Sequence, residues 1–394
     1  EHIPQVADEL TAGWFTEVLA HTCGPARVCR VERVVIGDGV GFVGEIIRCR
    51  LTWDRHDAGL PQSVIVKIPS PHKKNRALAE GLMAYEREIR VYRDIGSDLG
   101  LPMPRLYHSA MDPTPAPWLE RFIMWLFEVL PLAAINWLVD RFLGLTERST
   151  RRYILVLEDI ADARPPVQAQ GGSVDDALAA LVVLARAHAH AWMNQSLVEA
   201  NPIVWSIGRG PKVIQAGYVR NRDDFRKRWG SRFSPRLFDR VDEIQDDIPE
   251  LIAHLAGPPW TVLHGDFRLD NILFRPDGSL VVLDYQGVGY GRPAWDVAYF
   301  ITTALDAEHR SEEPRLLTAY HRALVAGGVV DYSFDQLSGD IERSKALLVH
   351  RVIGGSTLID TDTHEIDGDE TLIDLIMVRT IGWMNLDQPG IDGG

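Results

Sequence analysis

Cysteine is scarce: Cys23, Cys29 and Cys49 are the three in 394 residues. Their number is odd and none forms a CxxC pair. That excludes a disulfide framework or a cysteine zinc site and fits a reducing, cytoplasmic setting. No apolar run reaches the ~18–20 residues that a bilayer span requires. The nearest candidate, Trp118 to Leu145, is interrupted by Arg121, Glu128, Asp140 and Arg141. No Lys/Arg block offsets the formal net charge of −14, so nucleic acid is excluded as a partner. Residues Glu1 to Leu10 lack the basic and apolar regions of a secretory signal. There is no Walker A lysine loop, no GxSxG elbow and no HExxH pair. His188 and His190 stand two apart on a predicted helix, so they do not face one another as metal ligands would; a core position is expected for His188.

What is present is a chain 46% hydrophobic and 24% charged, long enough for two lobes with their own cores. From Val31 to Ile160 the short runs VERVVI, EIIRCRLTW, VIVKI and YILVLEDI read as strands. One helix, Ala77 to Ile95, interrupts them with Leu78, Leu82, Tyr85, Ile89 and Tyr92 on one face. After Ala161 the pattern turns helical. Ser173 and Asp176 resemble a capping box ahead of LAALVVLARAHAHAWM, and further helices are expected over 234–256, 294–306, 312–327 and 335–352. The class is α+β, with an antiparallel N-terminal lobe over 1–160 and a mainly helical C-terminal lobe over 161–394, divided at the Pro/Gly/Gln-rich stretch Ala161 to Gly172.

The chemistry concentrates in VLHGDFRLDNILFRPDGSLVVLDYQG. Asp277-Gly278 between ILF and LVVLD signals a two-residue hairpin turn. That turn sets Asn271 directly opposite Asp284, where an amide oxygen and a carboxylate can share a hard cation such as Mg²⁺. Asp266, five residues before Asn271, is placed to orient an attacking hydroxyl and accept its proton. The plainer alternative is a helix-to-strand loop with three solvated acids, Asp266, Asp270 and Asp277. Upstream, Gly39, Gly41 and Gly44 form GxGxxG. A dinucleotide turn needs a helix next; EIIRCRLTW reads as a strand, which suits a loop over ATP phosphates or an ordinary hairpin. Lys67 sits inside an apolar strand and needs an anionic partner or solvent; Glu88 on the next helix is the natural partner and Glu86 the alternative.

HGDFRLDN resembles the HGDxxxxN signature of aminoglycoside phosphotransferases and choline kinases, and LDYQGVGYGRPAWDVAYFI resembles their metal-binding segment. LARAHAHAW and YEREIRVYRDI are most similar to the CHK-like, ecdysteroid-kinase-like branch. The resemblance covers residues 30 to 350 and implies a protein-kinase-like fold with ATP in its cleft. It implies that Asp266 is catalytic, that Asn271 and Asp284 hold metal, and that Lys67 and Glu88 position ATP. It further implies that His264 buttresses the loop, that Asp296 braces it, and that Leu157, Glu158 and Asp159 form the hinge that meets adenine. Gly44 replaces a Ser frequent in that branch, and Asp112 to Thr150 has the look of an insertion between two strands.

Trp118, Phe122, Trp125, Phe127, Trp137 and Phe142 crowd that insertion. Plain packing explains such a stripe. So does an amphipathic hairpin forming a lid for a bulky apolar alcohol, or a peripheral membrane or dimer contact through 118–145. The acidic run Asp360 to Glu370 points instead to a cationic acceptor, as in an aminoglycoside or choline-type kinase, or to a solvated loop. The reading is therefore an ATP- and Mg²⁺-dependent kinase of a small hydroxylated substrate. Its rival from another class is a catalytically dead pseudokinase acting as a scaffold.

Overall fold

The structure, a computed structural model, describes residues 2–36, 44–57, 59–114, 117–233, 235–358, 365–367 and 370–384. Gly39, Gly41 and most of the acidic run fall outside them. Helix α1 (Ala12–Cys23) leads into strands β1 (Val28–Ile36), β2 (Gly44–Trp53) and β3 (Ser63–Pro69). Helices α2 (Lys73–Gly81) and α3 (Ala84–Arg90) follow, then β4 (Leu106–Met111). Helices α4 (Pro117–Val129) and α5 (Leu132–Thr146) precede β5 (Tyr153–Glu158). The strands form one antiparallel sheet in the order β1-β2-β3-β5-β4.

Alternation along β3 gives the sheet two different faces. Val64, Val66 and Ile68 pack with Trp14, Phe15, Val18 and Leu19 of α1. On the opposite face Tyr153, Leu155 and Leu157 join Tyr85 and Ile89 of α3 in the large core that continues into the helical lobe. The helix expected over Ala77 to Ile95 is not continuous. It breaks at Met83, whose φ of 53° is left-handed, and its last turn, Val91–Ile95, is a π-helix. The break lets α3 take a direction of its own against the sheet.

The remainder is helical apart from short strands: α6 (Val174–His190), α7 (Gln195–Ala200), β6 (Trp205–Ser206), α8 (Pro211–Trp229), α9 (Pro235–Glu243), α10 (Ile248–Ala256) and β7 (Thr261–Leu263). Then come β8 (Ile272–Phe274), β9 (Leu280–Val282), β10 (Gly289–Gly291), α11 (Ala294–Ala304), α12 (Glu313–Ala326) and α13 (Phe334–Gly355). Strands β11 (Glu365–Asp367) and β12 (Glu370–Thr371) and helix α14 (Leu372–Gly382) close the described chain. The single helix expected over 234–256 is two, α9 and α10. Ser173 caps α6 as expected, accepting from Asp176 N at 3.0 Å, but Asp176 turns its carboxylate to Arg164 rather than back to the cap.

The insertion is a pair of helices. Phe127 and Ile135 are buried with Ala216 of α8, flanked by Ile123, Met124, Leu138, Val139 and Val213. Its other surface stays outside: Trp125 is 55% and Trp137 67% exposed. The segment thus packs as core on one side and keeps an aromatic surface on the other.

In the helical lobe, buried Asp340 of α13 accepts from His254 Nε2 at 2.7 Å, Arg292 Nη1 at 2.9 Å and Tyr332 OH at 2.8 Å. Removing one partner of a buried ion pair strands the other charge. Asp340→Ala is expected to lower unfolding free energy by about 3–5 kcal/mol, read from urea denaturation.

Candidate active site

Loop 264–271 takes its shape from one buried carboxylate. Asp296, at the start of α11, accepts from His264 N at 2.7 Å and Gly265 N at 2.9 Å. His188 Nε2 lies 3.4 Å from the same carboxylate, and its Nδ1 lies 2.7 Å from Tyr320 OH. With Nε2–H facing the acid, Nδ1 accepts from the phenol, so His188 is a core histidine and a support of Asp296. Gly265 then turns with φ +78°, and a Cβ there would stand 2.0 Å from Gly287 O. His264 Nε2 donates to Leu283 O at 3.0 Å, while Nδ1 accepts from Asp266 N at 3.3 Å. One neutral tautomer satisfies both bonds.

This geometry presents Asp266 with donors on both oxygens. Tyr299 OH donates to Oδ1 at 2.9 Å, and Asn271 Nδ2 donates to Oδ2 at 3.1 Å and to the Asp266 carbonyl at 2.8 Å. Arg268 Nε stands 3.5 Å from Oδ2, with its Nη1 tied to Asp270 at 2.7 Å.

The hairpin register differs from the one expected. Strands β8 and β9 pair Ile272 with Val282 and Phe274 with Leu280, and Leu283 N donates to Asn271 O at 2.8 Å. The loop therefore holds Pro276, Asp277 and Gly278 rather than a two-residue turn. Gly278 sits at φ +82°, Arg275 N bonds Ser279 O at 2.9 Å, and Asp277 Oδ1 caps Ser279 N. A turn followed by a left-handed glycine is the three-residue alternative. The shift moves Asn271 opposite Leu283. Asp284 leaves the strand with φ 65° and ψ 71°, and this swivel carries its carboxylate toward β3.

There Asp284 meets Lys67. Lys67 Nζ is 2.6 Å from Glu88 Oε1 and 3.4 Å from Asp284 Oδ1, with its side chain 19% exposed. Lys67 lies on the face of β3 opposite Val66 and Ile68, which directs it to α3 and away from solvent. Glu86 is used elsewhere, by Arg90 at 2.9 Å, Thr114 at 2.8 Å and Arg151 at 3.5 Å. Burial alone would lower the Lys67 ammonium; the charges of Asp284 and Glu88 outweigh it and hold Lys67 above its usual range. Burial pushes the Glu88 carboxyl up against the pull of Lys67. Two acids sharing one cation leave Asp284 Oδ1 buried and without a hydrogen bond.

A line of rings joins these parts: Tyr92 meets Tyr285 edge-on at 5.5 Å, and Tyr285 lies 5.0 Å from His264. Arg87 of α3 and Arg209 each lie over the Trp205 ring, 4.0 Å from its centroid. The hinge candidates have occupied side chains. Glu158 accepts from Arg105 N at 3.1 Å and its own N–H donates to Arg105 O at 2.9 Å, Leu157 is paired with both β3 and β4, and Asp159 pairs with Arg48 at 2.8 Å and Ser63 at 2.7 Å. Gly44 opens β2 against Pro69.

Thus Lys67, Glu88, Asp284, His264, Asp266, Asn271 and Asp296 converge. Tyr299, Arg268 and Trp205 were missed in the sequence. For Tyr299 a signal existed, since it follows Asp296 by three and shares its helix face.

The sequence model of the phosphotransferase enzyme family matches residues 50–331. Among solved structures, a putative aminoglycoside phosphotransferase from Ralstonia eutropha is 15% identical, with 95% of each chain covered and a TM-score of 0.49. An ethanolamine kinase from Plasmodium vivax is 12% identical, covering 90% of this chain and 82% of its own, with a TM-score of 0.49. A choline kinase from Cryptosporidium parvum is 9% identical, covering 91% and 88%, with a TM-score of 0.48. A probable acyl-CoA dehydrogenase from Arabidopsis thaliana is 34% identical over 86 residues, which is 20% of this chain. The chain spans about a tenth of that relative's length.

Gly265→Ala forces a side chain onto a backbone oxygen at a left-handed position. It is expected to lower the melting temperature by several degrees and to disturb the Asp266 loop, seen as faster amide exchange at 264–271.

Proposed function

Because the chain belongs to the phosphotransferase enzyme family, we propose that it moves the γ-phosphoryl group of ATP, with Mg²⁺, to a hydroxyl of a bulky apolar alcohol. The observation carrying this is the pairing of an acid held by three donors, Asp266, with a lysine held by two acids, Lys67. The first suits a hydroxyl acceptor; the second suits an anionic donor.

Residues Asn271 and Asp284 fit a divalent cation. Asp284 offers a buried oxygen without a hydrogen bond, and Asn271 spends its amide nitrogen on Asp266, leaving its oxygen as the ligand atom. Among the described residues no group of three or more His, Cys, Asp or Glu could hold a metal by itself. Mg²⁺ commonly takes one or two protein ligands and fills the rest from phosphates and water. When bound, it neutralises phosphate charge.

The chain's own residues supply the rest. Lys67, fixed by Glu88, receives the α/β-phosphates. Asp266 orients the acceptor hydroxyl and takes its proton as the new O–P bond forms and the bond to ADP breaks. Backbone groups of Leu157 to Asp159 meet adenine, and Gly44 belongs to the phosphate loop. On this reading residues 1–160 hold the nucleotide and 161–394 the acceptor.

The acceptor class rests on the insertion. Met124 of α4 lies against Gly210, whose neighbour Arg209 stacks on Trp205. Arg87, which also lies over Trp205, donates to Gln286 O, two residues beyond Asp284. This chain of contacts links the apolar helix pair to the neighbourhood of Asp284 and supports a hydrophobic acceptor over a polycation.

A thermal-shift titration with Mg·ATP, followed by ADP release across hydroxylated acceptors, tests the reading. A ligand that binds only the folded state raises its melting temperature. Asp266→Ala is expected to keep the Mg·ATP shift and to lose roughly 10²–10⁴-fold in turnover. Near wild-type turnover in that variant would remove the assignment. A nucleotide shift without turnover on any acceptor would favour a binding protein, and turnover only on amino sugars or choline would replace the apolar alcohol.

A further inference from the structure

The catalytic carboxylate proposed above lies between two opposed pulls. On one side is Arg268, with a side chain only 7% exposed, whose Nε is 3.5 Å from Asp266 Oδ2. On the other is Tyr299 OH, 2.9 Å from Oδ1. The terminal torsion of an aspartate is soft and roughly two-fold, so it offers little resistance of its own to rotation. A guanidinium beside a carboxylate favours a two-point pair, with both oxygens facing the fork. Arg268 is itself fixed by Asp270, so in any such collapse the carboxylate is the group that moves. Asn271 does not prevent it, because its amide binds the same Oδ2 that Arg268 attracts.

We propose that Tyr299 is a positioning residue, whose hydroxyl holds Oδ1 of Asp266 away from Arg268 and keeps that oxygen turned toward the acceptor. This rests on the phosphotransferase reading of Asp266. The phenol is well suited to the task. Burial and the charge of Asp266 hold it above its usual range, so it remains a neutral donor. A carboxylate oxygen that accepts from Tyr299 retains a second lone pair for the substrate hydroxyl. The scaffold is shared: Asp296 and Tyr299 are one turn apart on α11, so the helix that fixes the loop backbone also fixes its carboxylate.

The test is Tyr299→Phe, which keeps the ring and removes the hydroxyl. Its crystal structure is expected to show the Asp266 carboxylate rotated onto Arg268. With the best acceptor from the wild-type screen, kcat is expected to fall roughly a hundredfold, the cost of a small misplacement of a reacting group. KM for ATP and the Mg·ATP-dependent thermal shift are expected to stay at wild-type values. In an Arg268→Gln background, where the opposing pull is absent, the same substitution is expected to cost much less. An unmoved carboxylate would overturn the proposal. So would equal cost in both backgrounds, or a loss of kcat matched by an equal loss of nucleotide binding. Absence of wild-type turnover on every acceptor would sink the kinase reading, while the position of the carboxylate in the variant would still decide this one.

Discussion

The buried carboxylate of Asp296 is the point on which loop 264–271 depends. A charge out of water is costly unless donors surround it. Here the donors are two successive backbone N–H groups, those of His264 and Gly265, with His188 behind them. The arrangement works in both directions. The loop satisfies the acid, and the acid holds the loop in a turn that Gly265 alone can adopt. Everything downstream inherits that turn: the tautomer of His264, the presentation of Asp266, and the approach of Asn271.

The second constraint is a shortage of cations. Lys67 faces both Glu88 and Asp284, and the three groups carry a net negative charge when ionised. A site arranged this way has affinity left over for positive charge, while its lysine retains donors for an anion. On the proposed reading, Mg²⁺ with a polyphosphate would answer both demands at once.

Much of this could be read from the residues. Asp266, Asn271, Asp284 and Asp296 sit in spacings tied to local geometry, and Lys67 in an apolar strand announces a buried partner. What escaped had physical causes. Pro276 lengthens the hairpin loop by one residue, which side-chain alternation cannot reveal, and the left-handed turn at Asp284 compensates for the shifted register. Met83 breaks a helix whose apolar spacing runs on without interruption. Strand β4 carries only partly buried residues, so its pattern is weak. Tyr299 reads as an ordinary aromatic until the loop folds over it.

The insertion adds one more bridge between the sheet and the helices that follow it. Helix α5 touches α2 beside the sheet and α8 far along the chain, well away in sequence from Ile160. It works in parallel with the core that the sheet already shares with the later helices and with the Lys67–Asp284 contact. A packing change at buried Ile135 would therefore be felt on both sides of the bridge.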